Sequence, residues 1–268
     1  MRILVTNDDG VASPGLWILA RELEKVGEVI VVAPSRDMSG TAVAMMMRRP
    51  AHVRPAKPRR EFRHLRAYAV GAPPATCVLL GLRGTVGGGG IDLVVSGVNN
   101  GANLGRDVLL SGTVGAALMA SLEGVPAIAV SASDGITPYW ETAASVAGRL
   151  AERLRDVEAR GNILLNLNVP SVPLAELRGV KLSRLSRGCC LSRLSVLPAD
   201  GRVGTFNLTA LPPERQAEDE GTDEWAVVNG YVSLTPLAPD MATDHADSRL
   251  RDLLVDLIPL TREAGADL

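Results

Sequence analysis

The chain has 268 residues, enough for one large α/β domain whose core needs no covalent staples. Lys and Arg number 28 against 30 Asp and Glu, and this formal charge of −2 argues against a protein that coats nucleic acid. With 46% hydrophobic and 3% aromatic residues, disorder and base-stacking platforms are disfavoured, and three cysteines (Cys77 alone, Cys189 and Cys190 adjacent) fit neither a zinc spacing nor a disulfide framework.

Arg2 to Thr6 reads as a short strand of apolar and β-branched residues. After the turn Asn7-Asp8-Asp9-Gly10, Pro14 can open a helix in which Leu16, Leu19, Ala20 and Leu23 recur at helical spacing, and Gly27 can close it. Glu28 to Ala33 (EVIVVA) is a second strand, apolar without alternation and so buried on both faces. Strand, helix and strand in quick succession form a βαβ unit, which makes the two strands parallel. The stretch 48–66 differs: Arg48, Arg49, Arg54, Lys57, Arg59, Arg60, Arg63 and Arg66 stand against Glu61 alone, among Pro50, Pro55 and Pro58. It reads either as a solvated loop or as the approach for an anionic substrate. Met45–Met47 are expected to fill an irregular apolar gap.

Gly87–Gly90 is a connector before a buried strand over 91–96 (IDLVVS). A helix is predicted from Thr113 to Glu123, ended by Gly124, and a strand over 126–132. Thr137-Pro138 can cap a long helix with Val146, Leu150, Leu154 and Val157 on its apolar face, and a strand over 162–170 stops at Pro170. Beyond it the pattern loosens into strands at VKLSRLSR (180–187) and GYVSLTPL (ending at Leu237) and a helix over Ser248–Ile258. The expectation is one α/β domain over 1–268, a mostly parallel sheet flanked by helices. Residues 1–170 form its core and 171–268 a loop- and strand-rich extension serving oligomerisation. The N-terminus lacks a signal-peptide core and no apolar run reaches a membrane span, so a cytoplasmic protein is expected.

Ligands of an open parallel sheet bind beyond the carboxyl ends of its strands. There the chain places Asn7-Asp8-Asp9-Gly10, then the 33–40 loop ending in Ser39-Gly40, then 97–105 with Asn99, Asn100 and Asn103. These oxygen donors are hard ligands suited to Mg²⁺, Mn²⁺ or Ca²⁺, and adjacent carboxylates repel unless a cation neutralises them. By itself Asp8-Asp9-Gly10 is also a helix-capping turn. Ser111-Gly112-Thr113 opens the fourth piece, a helix N-terminus that can hold a phosphate or simply be capped. Cation and helix end together suit hydrolysis of a phosphate ester. Arg106-Asp107 could pair or touch substrate. The histidines His52, His64 and His245 are scattered and suggest no catalytic triad.

At these residues the chain resembles SurE, the stationary-phase survival family of metal-dependent nucleotidases. The resemblance rests on MRILVTNDDG at the N-terminus, Ser39-Gly40, VVSGVNNGANLGRDVLLSGTVGAA (94–117) and GTDEWAVVNGYVSLTPL (221–237). It implies a Rossmann-like domain with a C-terminal extension exchanged between subunits of a homodimer or homotetramer. It implies removal of phosphate from nucleoside 5′- and 3′-monophosphates with one divalent metal ion per subunit, Mg²⁺ or Mn²⁺. The implied metal ligands are Asp8, Asp9, Ser39 and Asn99, with Asp8 and Asp9 catalytic through orientation of the attacking water. Gly40, Asn103, Ser111, Gly112 and Thr113 would hold the phosphate. The chain departs from the family at Thr76, where an Asp is common, at Ser35 after Ala33-Pro34, and at 186–192, where an aromatic and arginine patch is frequent. Two other readings stand beside this one: phosphoryl transfer through Asp8 as a covalent nucleophile, and a non-catalytic nucleotide- or metal-binding module.

Overall fold

Strand β1 (Arg2–Thr6), helix α1 (Pro14–Leu23) and strand β2 (Glu28–Pro34) form the expected βαβ unit, with Arg2 in register opposite Glu28. The computed structural model describes residues 1–58, 60–133, 138–157, 163–188, 194–198, 206–210 and 219–240. Thr137, Cys189, Cys190, His245 and the helix expected over Ser248–Ile258 lie outside them. Gly27 turns the chain from α1 into β2, and only a glycine fits there, since a Cβ would stand 2.1 Å from the Met1 carbonyl oxygen.

The next elements are β3 (Val53–Pro55), β4 (Arg66–Val70), α2 (Pro74–Leu82), β5 (Leu93–Asn100), α3 (Gly112–Leu122), β6 (Ala127–Ala132), α4 (Trp140–Leu154) and β7 (Leu164–Val169). After them come β8 (Val180–Leu182), β9 (Leu194–Pro198), β10 (Phe206–Ala210), α5 (Asp223–Val228) and β11 (Val232–Pro236). Nine strands form one sheet in the order β3-β4-β2-β1-β5-β6-β7-β11-β8, and β9 and β10 pair as a separate antiparallel ribbon. The sheet is parallel from β4 to β7, with β3 antiparallel at one end and β11 antiparallel to β7 near the other. The core is therefore α/β and doubly covered, as expected.

Residues 171–237 do more than trail behind it: β11 and β8 extend the same sheet. Contacts divide the chain into a unit Met1–Leu237 and a short unit Ala238–Leu268.

Side chains of the central strands alternate between two buried layers. Ile3, Val5, Val31, Val95 and Val130 meet α1 and α4, whereas Leu4, Ile30, Val32, Val94 and Ala129 meet α2 and α3. On α4 the buried stripe consists of Ala143, Ala144, Ala147 and Ala151 with Leu154, while Val146 and Leu150 only flank it and Val157 is exposed. Short side chains let α4 approach the sheet and α1 closely, so volume is scarce. Ala147→Leu is expected to cost about 1–3 kcal/mol of stability by overpacking. Urea unfolding checks this, and a midpoint equal to the parent's would show spare room in that layer.

Strand β4 and helix α2 escape the sequence pattern. Arg66–Val70 is short, alanine-containing and preceded by the basic loop, and the Pro73-Pro74 pair that looks like a breaker supplies the first turn of α2. Met45–Met47 also depart from expectation. Met46 packs against the α2–α3 layer, but Met47 is 71% exposed. Thr76 accepts a hydrogen bond from the Met46 backbone N–H at 2.9 Å, so its hydroxyl anchors this segment over α2.

Candidate active site

Strands β2, β1 and β5 are neighbours, and the loops after them meet at one edge of the sheet. The Met38 backbone N–H donates to the Asp8 carbonyl oxygen at 2.8 Å, which clamps the Ser39 loop against the end of β1. Strand β5 bulges between Ser96 and Asn99, with a cis Gly97–Val98 peptide, before its end reaches Asn99 and Asn100.

Asp8 is the centre of this edge and is only 3% exposed. The Thr113 hydroxyl, in the first turn of α3, donates to Asp8 Oδ1 and lies 3.5 Å from Asn99 Oδ1, so Asp8 and Asn99 flank one hydroxyl. Gly112 makes this approach feasible: a Cβ there would stand 2.8 Å from Asp8 Cβ and 2.9 Å from Asp8 Oδ2. Burial pushes the Asp8 carboxyl above the usual carboxylate range, opposed by its hydrogen bonds from Thr113. Burial raises Asp9 to about 6, helped by repulsion from Asp8 and Asp37, while the Asn100 backbone N–H favours its charge. The ion pairs found among the described residues, such as Arg83–Glu123 and Arg184–Asp219, include none of these aspartates. Asp9 Oδ2 is buried and, among the described residues, has no hydrogen-bond partner.

The expected phosphate residues divide into two groups. Ser111 caps α3, its Oγ accepting from the Val114 N–H at 3.1 Å, and Thr113 serves Asp8. Gly40, at φ +74, has nothing within 4 Å of where a Cβ would be, so the space beside it is open. Asn103 is nearly buried and held from all sides: its Nδ2 donates to Ser131 Oγ at 2.9 Å, and its carbonyl oxygen accepts from Asn166 and Asn168. Its backbone N–H donates to Asn168 Oδ1 at 2.8 Å, so Asn103 ties the loop after β5 to β6 and β7. Ser111→Ala is expected to cost about 1 kcal/mol of stability through the lost cap. It is also expected to lower kcat/KM without changing metal affinity, as steady-state kinetics and a metal titration will read.

Three supporting residues were invisible to pattern reading. Asp37 accepts from both the backbone N–H and the hydroxyl of Ser39, at 2.8 and 2.6 Å; an acidic residue two places before a serine is the available signal. Asp223, fully buried at the start of α5, accepts from the Gly105 and Ser186 backbone N–H groups at 2.8 Å each, joining the GTDEW segment to the loop after β5. Asn168 is a buried amide on a central strand, where only its partner Asn103 explains it.

The candidate site lies apart from a cleft beside α1. A cavity of about 390 Å³ lies on the α1 side of the sheet, lined by Val11, Trp17, Phe62, Lys57 and Glu141, and contains none of the candidate ligands. His64 belongs to the surface, facing Glu24 at 3.0 Å.

The profile of the family described as Survival protein SurE matches residues 3–190. The chain belongs to the SurE family. The SurE protein of Haemophilus influenzae (strain ATCC 51907 / DSM 11121 / KW20 / Rd), named 5′-nucleotidase SurE, is 42% identical over 260 residues, 95% of this chain and 98% of that protein. A 5′-nucleotidase SurE of Legionella pneumophila (strain Paris) is 39% identical over 261 residues, 96% of this chain and 100% of that one. The crystal structure of the SurE protein from Aquifex aeolicus superposes with a TM-score of 0.79 at 32% identity, covering 95% of this chain and 100% of that chain. The SurE profile ends at residue 190, yet these alignments continue well past it, in keeping with the way β11 joins the sheet.

Proposed function

We propose that this SurE chain hydrolyses nucleoside 5′-monophosphates, and 3′-monophosphates with them, to nucleoside and phosphate, acting in the cytoplasm as a homodimer or homotetramer. The observation that carries the reading is the Asp8–Asp9 pair: two carboxylates at the end of β1, Asp8 buried and Asp9 half-buried, mutually repelling and with no cationic partner among the described residues, with Asp9 Oδ2 left unsatisfied there. Such a pair fits a hard divalent cation, Mg²⁺ or Mn²⁺. Among the described residues no three His, Cys, Asp or Glu side chains gather as a metal cluster, so Ser39 and Asn99 are the oxygens that would complete the donor set. When bound, the cation would neutralise phosphate charge and polarise the attacking water.

The remaining work belongs to the chain. Thr113 holds Asp8 in one orientation through its hydroxyl. Asp8 and Asp9 orient the water whose oxygen joins phosphorus as the ester P–O bond breaks and the leaving alkoxide takes up a proton. The open space beside Gly40 and the first turn of α3 is where the phosphate group fits. Asp8 itself, 3% exposed and bonded to Thr113, is badly placed to attack phosphorus, which disfavours a covalent route. Association of subunits is supported by β8, whose outer edge pairs with no strand among the described residues and in which Val180 is 60% and Leu182 75% exposed.

The test is phosphate release from a panel of 5′- and 3′-nucleoside monophosphates, with protein stripped by a chelator and then given Mg²⁺ or Mn²⁺. Activity restored by metal supports the reading. Silence across the panel by a protein that still binds metal would favour a non-catalytic binding module.

A further inference from the structure

We propose that Asp37 is a positioning residue, which sets the Ser39 hydroxyl for coordination by taking up its hydrogen; this rests on the metal-dependent reading above. Asp37 Oδ1 accepts from Ser39 Oγ at 2.6 Å and from the Ser39 backbone N–H at 2.8 Å. A serine hydroxyl has one hydrogen and two lone pairs. With its O–H pointed at Asp37 as hydrogen-bond donor, the hydroxyl turns both lone pairs toward a cation and no longer rotates among water partners. Ser39 and Asp37 are both exposed, and among the described residues no other hydrogen bond holds the Ser39 side chain.

The backbone completes the arrangement. The Met38 N–H donates to the Asp8 carbonyl oxygen at 2.8 Å and the Thr41 hydroxyl donates to the Met38 carbonyl oxygen at 2.7 Å, so the residue between Asp37 and Ser39 is tied at both ends. Asp37 thus acts through Ser39 without occupying a coordination position, the role carboxylates commonly play behind metal ligands.

The experiment titrates Mn²⁺ alone into the chelator-stripped parent and variants, and measures kcat at saturating metal alongside. Asp37→Ala is expected to weaken Mn²⁺ binding about 10-fold, with kcat at saturating Mn²⁺ close to the parent's. Asp37→Asn keeps an oxygen acceptor for Ser39 and is expected to restore most of the affinity, a rescue that simple loop damage would not show. In a Ser39→Ala background, Asp37→Ala should add little. Parent-like Mn²⁺ affinity in Asp37→Ala, or its full effect repeated in the Ser39→Ala background, would overturn the proposal while leaving the metal-dependent reading intact. Failure of the parent itself to bind Mn²⁺ would overturn both.

Discussion

Asp9→Asn is expected to lower kcat/KM for a nucleoside monophosphate by about 10³-fold through lost charge at the reacting centre, to weaken Mn²⁺ binding, and yet to raise the melting temperature of the metal-free protein. The first two effects follow from removing one of two charged donors. The third follows from electrostatics. Burial and the charges of Asp8 and Asp37 lift the Asp9 carboxyl from 3.8 to about 6. Between those values the folded protein holds a proton that the unfolded chain has released, so stability falls as pH rises through the window. Above about 6 the penalty is complete, and an uncharged amide escapes it. Thermal melts without metal should therefore show a gap in favour of Asp9→Asn that opens from pH 4 upward, about where an unperturbed aspartate loses its proton. Saturating Mn²⁺ should reverse the order by stabilising the parent alone. An Asp9→Asn protein with the parent's turnover at limiting metal would remove Asp9 from the donor set. One that melts below the metal-free parent at neutral pH would refute the electrostatic account.

Gly112→Ala is the second large effect. The added methyl would stand 2.8 Å from Asp8 Cβ and 2.9 Å from Asp8 Oδ2, closer than such atoms can remain, with Thr41 Oγ1 tight against it at 3.2 Å. Asp8 or the first turn of α3 must move, and a displacement of this kind at a reacting centre costs on the order of 10²-fold in rate. Stability should suffer less, because alanine is better than glycine in a helix by up to about 1 kcal/mol. The expected outcome is a protein with the parent's circular dichroism and poor kcat/KM at saturating metal. Undiminished activity would mean that the site has slack at its most crowded point.

Much of this was legible in the sequence. The βαβ opening, the buried strands β5, β6 and β7 and the helix α3 announced themselves through apolar runs bounded by glycine and proline. The donors showed themselves openly, since Asp8, Asp9 and Ser39 follow the ends of β1 and β2 and Asn99 lies in the last residues of β5, just past the apolar run that marked the strand. What stayed hidden depends on contacts between distant residues. Asp37 and Asp223 look like ordinary loop acids until the hydrogen bonds to Ser39 and Gly105 are seen. Thr113 read as part of a phosphate cradle, whereas its hydroxyl supports Asp8. The face of α4 was misread because Val146 and Leu150 carry the hydrophobicity while small alanines fill the buried stripe. Packing there selects for size, a property that periodicity of hydrophobic residues does not record.

The placing of β1 between β2 and β5 has a consequence for how the protein comes into being. Pairing β1 with β2 closes a loop of modest length, Arg2 to Glu28, but pairing it with β5 must bring Ile3 to Leu93, and Thr113 reaches Asp8 across 105 positions. Local pairings of the first kind form early, whereas closures as long as the second are slow to find one another. A chain leaving the ribosome thus has Asp8 and Ser39 long before it has Asn99 or Thr113, and its half-built pocket is chemically silent. Regained phosphatase activity after dilution from denaturant would accordingly count molecules whose middle strands have all docked, a stricter tally than helical signal alone provides.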